Sequence, residues 1–121
     1  MGDLSQNFDR SEFACKDNCG FDNIPPKLIS LLEEIRAMYN SPAITYSGCR
    51  CEKYNKLVGG VSNSQHLYGN AADIYIVGVH PHDLADHLSS YYPDKYGVGK
   101  YANFTHIDVR DNVPARWGFR I

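Results

Sequence analysis

The spacing of apolar positions along the chain predicts three helices. In "NIPPKLISLLEEIRAMYN", which begins at residue 23, prolines precede apolar side chains that recur at helical spacing. These side chains belong to Leu28, Leu31, Leu32, Ile35 and Met38. The segment "HPHDLADHLSSYY" predicts a second amphipathic helix with His80 and Pro81 at its entry. "CEKYNKLVGG" predicts a short helix closed by Gly59 and Gly60.

Four shorter segments have the pattern of β-strands: "PAITYSG", "AADIYIV", "YGVGKY" and "FTHIDVR". The last two are predicted to be antiparallel neighbours joined by a tight connection. Together, helices and strands predict an α+β fold in which a small, mostly antiparallel sheet has helices packed on one side. The chain has 121 residues and no repeat, low-complexity tract or linker, so residues 1–121 are predicted to form a single domain.

Composition and charge narrow the classes of function. The net charge of −2 gives no basic face of the kind that nucleic acid demands, so we expect no nucleic-acid partner. No apolar run reaches the length of a membrane span, and "MGDLSQNFDRSEF" lacks the basic and apolar regions of a signal peptide. We expect a monomer that acts where it is made or is released by another route.

The four cysteines form two close pairs, Cys15-x3-Cys19 and Cys49-x-Cys51. Such a set allows three disulfide pairings or a four-thiolate zinc site. Neither spacing is the C-x2-C that is usual in a zinc knuckle, which makes the zinc site the less favoured alternative. Free buried thiols, or one bridge between the two pairs, are the preferred interpretations.

Two predicted strands carry polar side chains in their interiors. Alternation along "AADIYIV" directs Asp73 to the face opposite Ile74, and a carboxylate inside an apolar strand is costly unless it is paired or bound to a cation. In "FTHIDVR", His106 and Asp108 share one face while the intervening Ile107 faces the core. A hydrogen bond to a turn, or a pair with an arginine, would also explain Asp73.

His66, seven residues before Asp73, supplies a further imidazole. His66, Asp73 and His106 together with a water would form an open zinc site of the catalytic type. Zinc in such a site lowers the pKa of its water to about 7 and polarises a carbonyl group, as amide hydrolysis requires. Asp108 is then the candidate general base beside that water.

The motifs resemble those of a known family. "SGCR" at 47–50, "GGVSNSQHLYGNAADI" at 59–74, "GVGKY" at 97–101, and "THIDVR" with "RW" at 105–117 are similar to the zinc D-alanyl-D-alanine carboxypeptidase and murein endopeptidase family. The opening "LSQNFDRSEFACKDNCG" also resembles the N-terminal segment of that family. The resemblance covers almost the whole chain and implies a hedgehog-like fold.

The resemblance also implies roles for particular residues. It makes His66, Asp73 and His106 the zinc ligands. It makes Arg50 a catalytic and substrate-binding residue, since a permanently charged guanidinium can hold a carboxylate or a tetrahedral oxyanion. It places Ser64 near the backbone of the substrate, although a capping or turn role suits a serine equally well.

One stretch departs from the family pattern. Many members carry a catalytic acid a few residues before the final histidine, where this chain has "YANFT" with Asn103. Some relatives have His-x-His at the end of the motif, with the second histidine on the metal. The roles of His106 and Asp108 are therefore open to exchange, with Asp108 as the ligand and His106 assisting. We favour His106, because imidazole is the better zinc donor at neutral pH.

The implied activity is that of a zinc metallopeptidase that cleaves an amide bond in the peptide stem or cross-link of bacterial peptidoglycan, as a carboxypeptidase or an endopeptidase. Such a chain would act on the cell wall, in the manner of a phage-type lysis enzyme (endolysin). One alternative is an inactive hedgehog-like zinc module that binds wall peptides or a protein partner. Another is a structural or tail-associated protein without metal. His80, His82 and His87 are interpreted as a solvated helix face, and Trp117 as core or groove lining.

Overall fold

The computed structural model describes residues 4–17, 19–60, 64–110 and 114–118, so positions 61–63 of the family-like motif lie outside it. Within these residues the strands form one sheet in the order β1-β2-β4-β3-β5. The strands are β1 (Ala43–Ser47), β2 (Ala71–Ile76), β3 (Gly97–Lys100), β4 (Thr105–Asp108) and β5 (Ala115–Trp117). β5 runs parallel to β3, and the other pairings are antiparallel. The predicted α+β fold with a mostly antiparallel sheet is confirmed.

Three helices accompany the sheet, and all three were predicted from the sequence. They are α1 (Pro26–Tyr39), α2 (Glu52–Leu57) and α3 (Pro81–Tyr91). Two 3₁₀ turns, Arg10–Glu12 and Gln65–Tyr68, and strand β5 were not predicted. A 3₁₀ turn of three or four residues makes little more than one turn, and a three-residue strand shows no repeated alternation, so neither displays a period of apolar positions. None of the helices described is both long and apolar enough to cross a membrane.

One face of the sheet packs against α1 and α3 to form the core. The sheet contributes alternate side chains, which belong to Ala72, Ile74, Ile76, Val98, Ile107 and Val109. The helices contribute the apolar faces predicted from their spacing, with Leu28, Leu32 and Ile35 from α1 and Leu84 and Leu88 from α3. Because side chains alternate along a strand, Asp73 of β2 and His106 and Asp108 of β4 project from the opposite face, whereas Thr105 stays on the helix side and donates to the Pro81 carbonyl.

The N-terminal segment packs onto this core and is held by hydrogen bonds to α1. Phe8 and Phe13 are fully buried. The carboxylate of Glu33 accepts hydrogen bonds from the Asn7 backbone N–H at 2.7 Å, from the Asn7 side chain and from the Ser5 hydroxyl. Partial burial alone would raise the pKa of Glu33, but these hydrogen bonds lower the pKa below its ordinary value.

Candidate metal centre

The register of the two central strands brings two predicted site residues together. Asp73 of β2 lies directly opposite His106 of β4. His66 arrives from the 3₁₀ turn, whose first N–H groups are capped by Ser64 through a hydrogen bond from the His66 N–H to Oγ at 3.2 Å. All three side chains are buried, and their candidate ligand atoms lie within 4.8 Å of one another.

The distances in this cluster suit a tetrahedral cation. Asp73 Oδ1 lies 3.2 Å from His66 Nε2 and 3.0 Å from His106 Nδ1. Zinc bonds of about 2.0 Å to nitrogen and oxygen would place such donor atoms about 3.3 Å apart. The outer nitrogens have their own acceptors, since His66 Nδ1 donates to the Gly48 carbonyl at 2.6 Å and His106 Nε2 to Asp108 Oδ2 at 2.8 Å. With these protons in place, the inner nitrogens can each present a lone pair to a metal.

The electrostatics of the cluster also suit a cation. Burial alone would raise the pKa of Asp73, but hydrogen bonds from His106 and His66 hold the pKa well below its usual range. Burial alone would lower the pKa of His106, but the carboxylates of Asp108 and Asp73 raise it. The site therefore holds an ionised carboxylate and attracts positive charge, and its two imidazoles and one carboxylate are donors that zinc accepts.

Asp108 lies behind His106 and does not line the cavity. Its carboxylate is fully buried and accepts from the Gly97 N–H at 3.1 Å and from Arg110 Nε and Nη2, both at 2.8 Å. Burial alone would raise the pKa of Asp108, but the Arg110 guanidinium and His106 hold the pKa well below its usual range. A Cβ at position 97 would lie 2.3 Å from Asp108 Oδ2, so glycine makes room for this carboxylate. The geometry favours Asp108 as the residue that orients His106.

Arg50 reaches the same cluster from the loop after β1. Its Nη2 donates to Asp73 Oδ2 at 3.2 Å, its Nε to Ser47 Oγ at 3.2 Å and its Nη1 to Asn55 Oδ1 at 3.2 Å. The guanidinium thus holds the Asp73 oxygen that faces away from the histidines. It also lines the cavity, so it lies where a substrate carboxylate or oxyanion would need it. The sequence did not indicate that Ser47 and Asn55 would fix this side chain.

A cavity of about 600 Å³ opens above the cluster. One wall is aromatic, with Tyr101 stacked on Phe104 at 4.5 Å between centroids and Trp117 Nε1 donating to the Tyr101 hydroxyl at 2.8 Å. The Trp117 ring also lies 4.9 Å from His106, and glycine at position 99 avoids a Cβ 2.5 Å from this indole. Trp117 therefore lines the groove and is not part of the core. Ser64 lines the cavity as well as capping the turn.

The remaining histidines lie on α3 and do not join a metal-type cluster among the residues described. The imidazole of His80 caps α3 by accepting from the His82 N–H at 3.1 Å, and His87 contacts the Tyr39 hydroxyl. Among the residues that the structure describes, a second group of closely spaced side chains of the kinds that bind metals consists of Cys15, Cys19 and Cys51.

A buried His–Asp–His cluster at the floor of a cavity defines a candidate single-metal enzyme. The model of one family, Peptidase M15, matches residues 6–108, which is most of the chain. The chain therefore belongs to the Peptidase M15 family, and the resemblance drawn from its motifs is confirmed. The family is zinc-dependent in general, and membership supports a metallopeptidase. A search of curated proteins gives no match to this sequence.

Proposed function

We propose that this protein is a zinc peptidase that hydrolyses an amide bond in the peptide stem or cross-link of bacterial peptidoglycan, as a carboxypeptidase or an endopeptidase. The observation that carries the proposal is the convergence of His66 Nε2, Asp73 Oδ1 and His106 Nδ1 beneath an open cavity. Membership of a peptidase family supports the reaction, and the motif resemblance supports the wall substrate. Release from the cell as a phage-type lysis enzyme is part of the same proposal.

A zinc ion held by these three atoms would lower the pKa of a bound water towards about 7 and polarise the scissile carbonyl. The Gly48 carbonyl and Asp108 hold the two imidazoles in the tautomer and orientation that ligation needs. Arg50 fixes the second oxygen of Asp73 and presents its positive charge to the carbonyl oxygen or terminal carboxylate of the substrate.

The aromatic wall supports a peptide substrate. Tyr101, Phe104 and Trp117 offer flat surfaces against which peptide planes and short aliphatic side chains pack, while the Tyr101 hydroxyl offers a polar group. Ser64 also lines the cavity and offers a hydroxyl to the substrate backbone. A cavity with apolar walls and a few convergent polar groups is typical of small-ligand sites.

A second candidate function is a zinc-containing module that binds wall peptides or a protein partner without cleaving them. The observation that favours it concerns the general base. Among the described residues that line the cavity, Asp73 is the only one with a carboxylate. Asp108 is buried behind His106, and its two oxygens accept hydrogen bonds from His106 and Arg110. A peptidase also needs a group that takes the proton from the attacking water.

Digestion of purified peptidoglycan by the zinc-loaded protein tests the two functions. We expect new amines in the soluble products, which mass spectrometry would assign to a particular bond. His66→Ala should abolish this release, whereas His82→Ala, which alters an exposed histidine of α3, should not change it. Binding to the wall without any released peptide would support the non-catalytic module and overturn the peptidase.

A further inference from the structure

Three cysteines meet at the surface, apart from the proposed catalytic centre. The sulfur atoms of Cys15, Cys19 and Cys51 lie within 4.8 Å of one another. Asp17 Oδ2 lies 3.5 Å from Cys51 Sγ, which places a carboxylate beside one of the three sulfurs. Cys15 is buried, Cys51 is half-buried and Cys19 is exposed, so the group extends from the interior to the protein surface. We call it the cysteine cluster.

The two distances at the Cys51 sulfur match those of a tetrahedral zinc site. Zinc bonds of about 2.3 Å to two thiolates place the sulfurs about 3.8 Å apart, and an oxygen ligand lies about 3.6 Å from each sulfur. The Cys15 and Cys51 sulfurs are 3.8 Å apart, and Cys51 Sγ is 3.5 Å from Asp17 Oδ2. Two edges of the expected tetrahedron are thus already formed.

The cluster also has features that a disulfide would not use. A disulfide requires two sulfurs at about 2.05 Å and leaves the third thiol without a partner. Here backbone N–H groups donate to two of the sulfurs, from Cys51 to Cys15 Sγ and from Tyr54 to Cys51 Sγ, each at 3.4 Å. Hydrogen bonds of this kind stabilise negative charge on sulfur, the form in which cysteine binds metals.

We propose that Cys15, Cys19 and Cys51 bind a second zinc ion in a closed, structural site, in which the Asp17 carboxylate turns inward from its contact with Cys51 to become the fourth ligand. Three thiolates and a carboxylate complete the four ligands that such sites use. Cys49 takes no part, because its buried thiol lies 3.7 Å from the Asn23 carbonyl oxygen. The set therefore combines both members of the first cysteine pair with one member of the second, and adds an aspartate.

The second zinc would fasten the N-terminal segment to the loop that carries Arg50. Cys51 follows Arg50 directly, and the Arg50 N–H donates to the His66 carbonyl at 3.0 Å. A tie at Cys51 thus restrains the backbone on both sides of the arginine and the turn of His66. This structural site is independent of the proposed function, because none of its ligands lines the cavity.

Metal analysis of protein purified in the presence of a reducing agent and without chelator tests the proposal. We expect about two equivalents of zinc per chain, falling to about one in Cys19→Ser and to about one in His66→Ala. Cys49→Ser is the matched control and should keep both, since serine can still donate to the Asn23 carbonyl. If the folded Cys19→Ser variant holds as many equivalents of zinc per chain as the wild type, the proposal of a second site is overturned.

Cobalt substitution gives a spectroscopic readout of the cysteine cluster. Co²⁺ in the cysteine cluster should show the near-ultraviolet charge-transfer absorption of thiolate ligands, in wild type and equally in His66→Ala. Absence of this absorption from the folded, reduced, cobalt-loaded wild type would overturn the proposal. So would an intact mass about 2 Da below that of the reduced chain, since it would show a disulfide. Neither the cobalt absorption nor the intact mass depends on peptidase activity. A failure of the second zinc site can therefore be distinguished from a failure of the proposed peptidase.

Discussion

Asp73 and Asp108, the buried carboxylates of the two central strands, contact different partners. Asp73 faces the two histidines and Arg50, whereas Asp108 contacts His106 and Arg110 from behind. A carboxylate that accepts the outer N–H of a metal-binding histidine fixes the orientation of the ring and increases its basicity. We therefore propose that Asp108 supports His106, whereas its position in the sequence suggested a general base.

Asp108→Asn tests this assignment. The amide keeps the size of the side chain but removes the charge that holds His106 and Arg110, so zinc affinity should fall by about 10- to 100-fold. Competition with a chelator measures that affinity. Asp86→Asn, at an exposed carboxylate that pairs with Lys100 on the surface, should leave it unchanged. Lost activity with unaltered zinc affinity would instead support Asp108 as the general base.

Single residues of the site differ in how far the sequence predicts them. Asp73 and His106 are predictable, because alternation along a strand shows which side chains leave the core. The role of Asp108 is not, because it depends on which ring nitrogen of His106 faces inward, and sequence spacing carries no information on side-chain rotation. The support of Arg50 by Asn55 also depends on how α2 packs, which no local pattern reveals.

The helices and strands also differ in how far the sequence predicts them. The apolar faces predicted for α1 and α3 and the alternation predicted for β2, β3 and β4 are those seen in the core, whereas α2 was predicted from its closing glycines and lies outside the core. β5 is missed because three residues show no alternation, and its parallel pairing with β3 depends on a return of the chain that has no local signal. This missed strand carries Trp117 into the cavity wall, which was one of the two placements that the sequence left open for this side chain.

Glu33 of α1 anchors the N-terminal segment, and its contribution should depend on pH. The pKa of Glu33 is lowered by folding, so the stabilisation is complete above the ordinary value of 4.5 and is lost as the pH falls through the folded-state pKa. Glu33→Gln should therefore lower the free energy of unfolding at neutral pH, and its difference from wild type should shrink below about pH 4.5. Urea unfolding at a series of pH values measures this difference.

A second substitution, at one of the donors to the Glu33 carboxylate, checks this interpretation. Ser5→Ala removes one of the hydrogen-bond donors to the carboxylate but leaves those of Asn7 in place. It should show a smaller loss with the same dependence on pH. A difference between Glu33→Gln and wild type that stays constant with pH would contradict the anchoring role of the charge.

At the scale of the whole molecule, the candidate metal centre joins segments that are distant in sequence. His66 comes from a turn, Asp73 and His106 from neighbouring strands, and the Gly48 carbonyl from the loop after β1. The unfolded chain does not hold these groups together, so an ion that binds them favours the folded state. Ligand at about 100 times its dissociation constant stabilises the fold by about 2.7 kcal/mol.

Zinc added to the metal-free protein should accordingly raise the midpoint of thermal unfolding by several degrees. The rise should be smaller in His66→Ala, because that variant lacks one of the three ligands. His82→Ala, at an exposed site on α3, should behave as wild type. Differential scanning calorimetry at several zinc concentrations measures the effect. Equal shifts in wild type and His66→Ala would contradict the assignment of this residue to the metal.

The pairing of Asp73 with His106 has a consequence for the order of folding events. Because successive side chains point to opposite faces, a slip of one residue in β2 would turn Asp73 into the core and Ile74 towards the cavity. The candidate metal centre can therefore form only when the two central strands are aligned correctly. During refolding, uptake of the ion would mark the moment at which that alignment is achieved, and a bound metal would hold the chain against returning to a misaligned pairing.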